Sequence, residues 1–226
     1  METLVTKKVS LVLHTLIMET KERIVKKAHE LFMLYGIRSV SMDEIAAHLG
    51  MSKKTIYQYF EDKDAIVDGV LNIEIEMNEK NFMQQQQNAE HAVHEIFLDI
   101  DLIQEMLKGM NPSILFDLEK YHPTAYKKLN DHKNNFYYGI MCNNLKRGIA
   151  ENVYKEDINI DILSRFRVSS IFLIFNPEVF PSLKYNLTET FWEITANFLH
   201  GLVTVKGNKL IDKYKVQSKK SKAYDK

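Results

Sequence analysis

The stretch SMDEIAAHLGMSKKTIYQYF, residues 41–60, reads as two short helices joined by a tight turn. Ser41 precedes Met42, Asp43 and Glu44, so its side chain can cap the first free amides of a helix. Glu44, three residues on, can reach back to the Ser41 amide and complete a capping box. Ile45, Ala46 and Leu49 recur at helical spacing, and Gly50 stands where a left-handed residue closes a helix. Ser52 is a second cap. Ile56 and Phe60 form the apolar face of the second helix, with Lys53, Lys54, Tyr57 and Gln58 opposite. A short exposed face rich in donors is what a helix entering a DNA major groove presents. Two lysines and a tyrosine alone are an ordinary solvated surface; the order helix, glycine, helix, donor-rich face sets this one apart.

Working outward, Glu19–Tyr35 carries an apolar stripe of Ile24, Ala28, Leu31 and Tyr35, with Val25 and Phe32 beside it, and Gly36 ends it. Asp62 is a cap for the helix that follows, through Val70, Leu71 and Ile75 toward the Gln84–Gln87 run. Beyond Ala89 the pattern stays helical: 92–107, a short helix capped by Asn111-Pro112 and running to about Tyr121, a long helix from His122-Pro123 to about Ala150, then 161–175 and 187–205. No strand alternation and no internal repeat is visible, so the chain is expected to be all-α. Residues 206–226, KGNKLIDKYKVQSKKSKAYDK, read as a frayed lysine-rich tail.

At 226 residues the chain can bury a large core. Its charges balance overall, but not locally. Residues 20–63 hold 8 basic and 6 acidic groups, residues 64–120 hold 3 and 12, and residues 121–226 hold 17 and 10. Attraction to phosphate is therefore confined to the N-terminal helices, and the acidic middle should face away from DNA. The single cysteine, Cys142, excludes an intrachain disulfide framework, and a reducing cytoplasm is the expected compartment. The apolar run Val9–Ile17 is too short to span a bilayer. Met18 is read as the start of the domain-bearing chain, with the first 17 residues an extension.

The run from Lys21 to Leu71 resembles the DNA-binding domain of the tetracycline-repressor (TetR) family. The likeness rests on the helix ending in Tyr35-Gly36, the segment Ser41–Gly50, the block Ser52–Phe60 and Lys63. It implies an N-terminal three-helix helix-turn-helix DNA-binding domain at 19–65 and a C-terminal helical ligand-binding and dimerisation domain at 66–206. These are flanked by an extension at 1–18 and the tail at 207–226. It further implies a cytoplasmic transcriptional regulator: a homodimer on double-stranded operator DNA, commonly a repressor released by a small-molecule effector. Lys53 and Lys54 would contact base edges; Thr55, Tyr57 and Tyr59 phosphates; Ser41 and Ser52 phosphates from helix N-termini; Lys63 a further phosphate. Gln58 shares their exposed face. Three residues depart from the family pattern. Lys54 replaces the usual small residue and Tyr59 a common histidine, while Asp43 stands where some members carry a base-reading arginine.

An effector pocket is expected among residues 90–185, with Phe97, Phe116, Tyr126, Phe136, Tyr137, Phe166 and Phe172 as candidate lining. The last apolar helices are expected to pair with a second copy through Phe191, Trp192, Phe198, Leu199 and Leu202. No phosphate-cradling glycine loop, GxSxG or HExxH occurs, so no catalytic residue, cofactor or metal is expected. His91 and His94 are more simply exposed helix residues than ligands, and the lone ExxH of Glu119 and His122 lacks the second motif of a di-iron bundle. The alternative is a helical-bundle adaptor or enzyme without DNA binding.

Overall fold

The computed structural model describes residues 4–224, and side chains from 17 to 216. The described chain is helical: α1 (Leu4–Tyr35), α2 (Met42–Leu49), α3 (Lys53–Tyr57), α4 (Lys63–Asn88), α5 (Ala92–Leu107), α6 (Ile114–Tyr121), α7 (Pro123–His132), a π-helical turn (Lys133–Tyr137), α8 (Tyr138–Ala150), α9 (Ile160–Leu173), α10 (Leu187–Leu202) and α11 (Val205–Tyr224). Among these residues the only β-type pairing is an isolated bridge between Tyr154 and Val203. None of their helices is long and apolar enough to cross a membrane.

The chain forms two compact units. The first combines the residues up to Ile75 with Gly109–Lys127. Its core takes Ile24, Ala28, Leu31, Val25 and Phe32 from the expected α1 stripe, together with Ile45 and Ile56; Tyr35, expected in the stripe, is exposed, and Val40, Ile66 and Val67 complete the core. Each such aliphatic side chain contributes about 1.5–3 kcal/mol by leaving water. α6 belongs to this unit. The Asn111 amide donates to the Met33 carbonyl at 2.7 Å, and the Arg38 amide donates to Asp117 Oδ2 at 2.9 Å. Gly36, at φ +83°, makes the approach possible, since a Cβ there would lie 2.7 Å from Ser113 Oγ.

The second unit, Glu76–Lys108 and the residues from Lys128 on, packs α5, α8, α9, α10 and α11 around Ile96, Leu145, Phe191, Leu199 and Leu202. Tyr154 lies flat over Gly148, where an added Cβ would come within 2.0 Å of its ring, and its hydroxyl donates to Asn144 Oδ1 at 3.0 Å.

Four boundaries differ from the sequence reading. α1 starts at Leu4 rather than Glu19, because no proline or glycine interrupts the stretch. The side chains that would say whether residues 1–17 stand apart lie largely outside those described. α6 starts at Ile114, not at Pro112: the Asn111 side chain accepts the Ser113 amide at 2.9 Å and shapes a turn instead of a cap. The long helix of 123–150 contains the π turn. Residues 205–224 are helical rather than frayed, anchored by Gly207, Ile211 and Tyr214, all buried on one face. Thr204 caps this helix by accepting the Gly207 amide at 3.2 Å. The lysines around that face masked it in the sequence.

Candidate nucleic-acid interface and effector region

α2 is closed at both ends by local chemistry. Ser41 is extended (φ −98°, ψ 163°); its Oγ accepts the Glu44 amide at 3.2 Å, and Glu44 Oε2 accepts the Ser41 amide at 2.6 Å. The Ser41 backbone amide, and after it the Ser41 side chain, hold the Glu44 carboxyl below its ordinary range. Gly50 is left-handed at φ +64°, and the Met51 amide returns to the Ala46 carbonyl at 2.9 Å. The chain then enters α3 at once. Ser52 Oγ accepts the Thr55 amide at 3.1 Å and lies 2.8 Å from the Thr55 hydroxyl. Ile56 is fully buried and pins α3 to the core, which turns Lys53, Lys54, Tyr57 and Gln58 outward.

Not all of that face is equally available. Lys53 Nζ donates to Asp43 Oδ2 at 2.8 Å, and this bond raises the lysine's pKa. Lys63, expected to clamp a phosphate, donates to the Ile37 carbonyl at 2.6 Å and sits 5.9 Å over the Phe32 ring. Burial lowers its pKa against the opposing pull of Asp117 and Glu44. Lys54, Tyr57 and Gln58 are exposed and make no side-chain hydrogen bond among the described residues, and Tyr59 is half-buried. Sequence reasoning passed over the Asp43–Lys53 pair, which joins residues ten apart across the turn and has no signature in either helix alone. It also passed over Arg38, exposed just before α2, with its guanidinium 5.3 Å over Tyr121.

The expected pocket residues do not converge. Phe116 and Tyr126 belong to the first unit, and Phe116 is exposed under Lys120. Phe166 is exposed on the outer face of α9. Phe116 and Phe166 are therefore removed from an interior lining, since helical phase, not aromatic character, decides which way they point. Phe136, Tyr137 and Phe172 do cluster at the π turn, where His132 stacks on Phe136 at 5.1 Å and Tyr137 meets the edge of Phe82 at 5.4 Å. Phe97 packs separately, against Trp192 and Tyr214.

The expected dimer residues need the same correction. Phe191, Leu199 and Leu202 are packed inside the unit, because α10 is apolar nearly all round and only one side of it is free. An open apolar groove runs between α9 and α10, walled by Leu163, Phe166 and Ile194 over the buried Phe198 and Leu202, with Ile162 exposed beside it. His91 and His94 act in backbone capping: His91 Nδ1 accepts the His94 amide and His94 Nδ1 the Glu90 amide, each at 3.1 Å. His122, the other histidine of interest, contacts Asp64.

Polar groups gather instead within the second unit. Glu95 on α5 and Arg167 on α9 are 1% and 4% exposed. Arg147 Nη1 donates to Glu95 Oε2 at 3.3 Å, and Arg167 Nη2 donates to the Thr195 hydroxyl at 2.9 Å. Among the described residues Arg167 Nη1 makes no hydrogen bond, and the Asn144 amide beside Glu95 opposes the effect of burial on its carboxyl. Burial raises the Glu95 pKa and carries that of Asp99, one turn along α5, well above the usual carboxylate range.

Residues 24–70 match the family model of bacterial regulatory proteins of the tetR family. The chain is 26% identical over 188 residues, 81% of its length, to 92% of the uncharacterised helix-turn-helix-type transcriptional regulator YvaF of Bacillus subtilis. Among solved structures it superposes on a TetR transcriptional regulator from Chloroflexus aurantiacus with a TM-score of 0.65 at 17% identity, covering 83% of this chain and 98% of that one. It also superposes on the regulator FadR from Bacillus subtilis in complex with stearoyl-CoA, with a TM-score of 0.59 at 17% identity, covering 78% and 96%. With the capped helix pair, its buried anchor and the helical unit that follows, these likenesses make the chain a DNA-binding member of the TetR family of transcriptional regulators.

Proposed function

We propose that the protein is a cytoplasmic, homodimeric repressor that holds operator DNA through α3 and lets go when a small molecule enters its second unit. The observation that carries this is the outward face of α3. Lys54, Tyr57 and Gln58 stand exposed on a helix fixed by caps at its start and by Ile56 beneath. In this reading Lys54 and Lys53 reach base edges, where an ammonium favours guanine O6 and N7. Tyr57, Tyr59 and Thr55 position the helix on phosphates. Ser41 and Ser52 use their oxygens as caps but keep an O–H to donate, and Lys63 keeps two of its three N–H groups.

A second copy on the α9–α10 groove gives the dimer. Ile162 and Phe166 are 61% and 57% exposed there, an apolar surface that association would cover. Effector release is supported by the helical fold shared with the stearoyl-CoA-bound regulator. The test is fluorescence anisotropy of the full chain on its own upstream DNA, with scrambled DNA as control, at two salt concentrations. Selective binding that the double variant Lys53→Ala/Lys54→Ala abolishes, with the dimer intact, is the expected result. Equal, salt-sensitive binding to both DNAs would overturn the reading.

A further inference from the structure

The peptide group between Ile37 and Arg38 joins three elements of the first unit. Its carbonyl accepts Lys63 Nζ, from the start of α4, at 2.6 Å, and its N–H donates to Asp117 Oδ2, on α6, at 2.9 Å. α4 and α6 meet again where His122, the C-cap of α6, contacts Asp64. The C-terminal end of α6 is therefore fixed beside the turn that leads, three residues after Arg38, into the Ser41 cap of α2.

On the outside of this junction the Tyr121 ring is flanked by two cations. The Arg38 guanidinium lies 5.3 Å and Lys120 Nζ 5.6 Å from its centre, and Lys120 Nζ is also 5.3 Å from the centre of the exposed Phe116 ring. Arg38, Lys120 and Tyr121 are all exposed. An aromatic face attracts a cation without neutralising it, so the rings position both charges and leave their N–H groups free to donate outward. Among the described residues neither Arg38 nor Lys120 makes an ion pair. Of the carboxylates nearby, Asp117 is held by the Arg38 amide and Ser113, Asp64 contacts His122, and Glu119 lies about 100° round the helix from Lys120. Lys120 is one of three basic residues in the acidic span 64–120, and the fold brings it to Arg38, at the edge of the helix-turn-helix.

We propose that Arg38 and Lys120, set on Tyr121, are a further phosphate-binding surface, gripping the operator backbone beside the stretch that α3 reads. The inference rests on the operator-binding reading given above. Two features select DNA as the occupant: the patch is cationic, and it continues the line of Ser41 and Lys63, the phosphate contacts of that reading. Arg38 offers a planar fork that suits a phosphate and Lys120 a single mobile charge. Phosphates carry no sequence information, so this surface sets affinity and register, and leaves base preference to α3.

The test is fluorescence anisotropy of the full chain over a salt series, on its own upstream DNA and on scrambled DNA. Arg38→Gln keeps the backbone N–H that Asp117 accepts, and Lys120→Gln changes only an exposed side chain. Each is expected to flatten the slope of log K against log salt by about 0.9. The double variant should weaken both DNAs by the same factor, about tenfold or more, with their ratio unchanged. Lys120→Arg keeps the charge and should retain the parent slope, which a merely structural role for Lys120 would not require. Unchanged slopes in both Gln variants, or a loss confined to the upstream DNA, would overturn the proposal. Lys54→Ala is measured alongside for the α3 reading. A parent protein that binds both DNAs equally would sink that reading, while the slopes on scrambled DNA still decide the phosphate contact. Binding to neither DNA would overturn both.

Discussion

Replacing Gly36 by alanine tests how firmly α6 is seated against the turn between α1 and α2. Gly36 has φ +83°, a backbone region that costs an L-residue about 1–2 kcal/mol. Its new methyl would also lie 2.7 Å from Ser113 Oγ and 3.1 Å from Asp117 Oδ2. Both oxygens belong to one small network, in which Ser113 donates to Asp117 at 3.3 Å and Asp117 accepts the Arg38 amide at 2.9 Å. Asp117 is 5% exposed, so pushing it off the Arg38 amide forfeits a charged hydrogen bond of about 1.5–3 kcal/mol. The sum is about 2.5–5 kcal/mol, or on the order of a hundredfold to a few thousandfold in local opening. Hydrogen exchange of peptides covering 36–49 and 111–121 reads that opening directly. Adding Ser113→Gly removes the nearest obstacle and should restore about tenfold of the protection. If Gly36→Ala speeds exchange only about fivefold, and Ser113→Gly restores nothing, then the backbone strain acts alone. The seat of α6 would then not depend on this contact.

Other expectations follow from the same geometry. Asp43→Asn removes the carboxylate that holds Lys53 and repels phosphate. Operator affinity should rise about threefold to fivefold, and the slope of log K against log salt should steepen by about 0.9; an unchanged slope would refute the pairing's role. Phe166→Glu places a charge in the α9–α10 groove, and sedimentation should show monomers at micromolar concentration, with operator affinity down at least tenfold; a stable dimer would move the interface elsewhere. Burial, opposed by Glu79 at 3.4 Å, holds the His132 imidazole below its ordinary range. Its contribution to stability is therefore complete above about pH 6.5 and is lost as pH falls through the lowered folded value. His132→Phe, which keeps the stack on Phe136, should flatten that decline, and parallel pH–stability profiles would show that His132 titrates no differently once folded.

The parts of the molecule that announce themselves in sequence are those decided by near neighbours. The Ser41–Glu44 capping box, the left-handed Gly50 and the Ser52 cap all involve residues within a few positions, so spacing alone reveals them. The core stripe of α1 is equally local in its period. What spacing does not carry is the choice of face for a helix that is apolar on several sides. Phe191 and Phe166 have similar sequence surroundings, yet one is fully buried and the other is 57% exposed, because α9 and α10 each turn one side to the core. Charges meeting across the fold were equally invisible. Glu95 and Arg147 come from α5 and α8, and Arg167 and Thr195 from α9 and α10, and no local pattern marks either pairing. The tail shows the reverse error: three buried residues at helical spacing are enough to dock α11, and the lysines between them concealed it.

The recognition surface is narrower than a tally of its donors suggests. Of the nine residues that the sequence nominates, Ser41 and Ser52 serve as caps and Thr55 bonds to Ser52. Lys53 is paired with Asp43, and Lys63 bonds the Ile37 carbonyl in the turn between α1 and α2. Such intramolecular bonds fix the position of a side chain before DNA arrives, which reduces the conformational freedom lost on binding. They also lower the net attraction that each group offers to phosphate, most clearly for Lys53. In the proposed reading the exposed set of Lys54, Tyr57 and Gln58, which make no side-chain hydrogen bond among the described residues, is what remains to discriminate one sequence from another. Lys54 is a charged residue at the start of a helix only five residues long. Swapping Lys54 alone for alanine should therefore relax sequence preference more than Lys53→Ala does, whereas Lys53→Ala should chiefly weaken binding to all DNA. Selection of preferred sites from a random DNA pool by each variant separates these outcomes. A Lys53→Ala protein with altered preference and a Lys54→Ala protein without it would reverse the assignment.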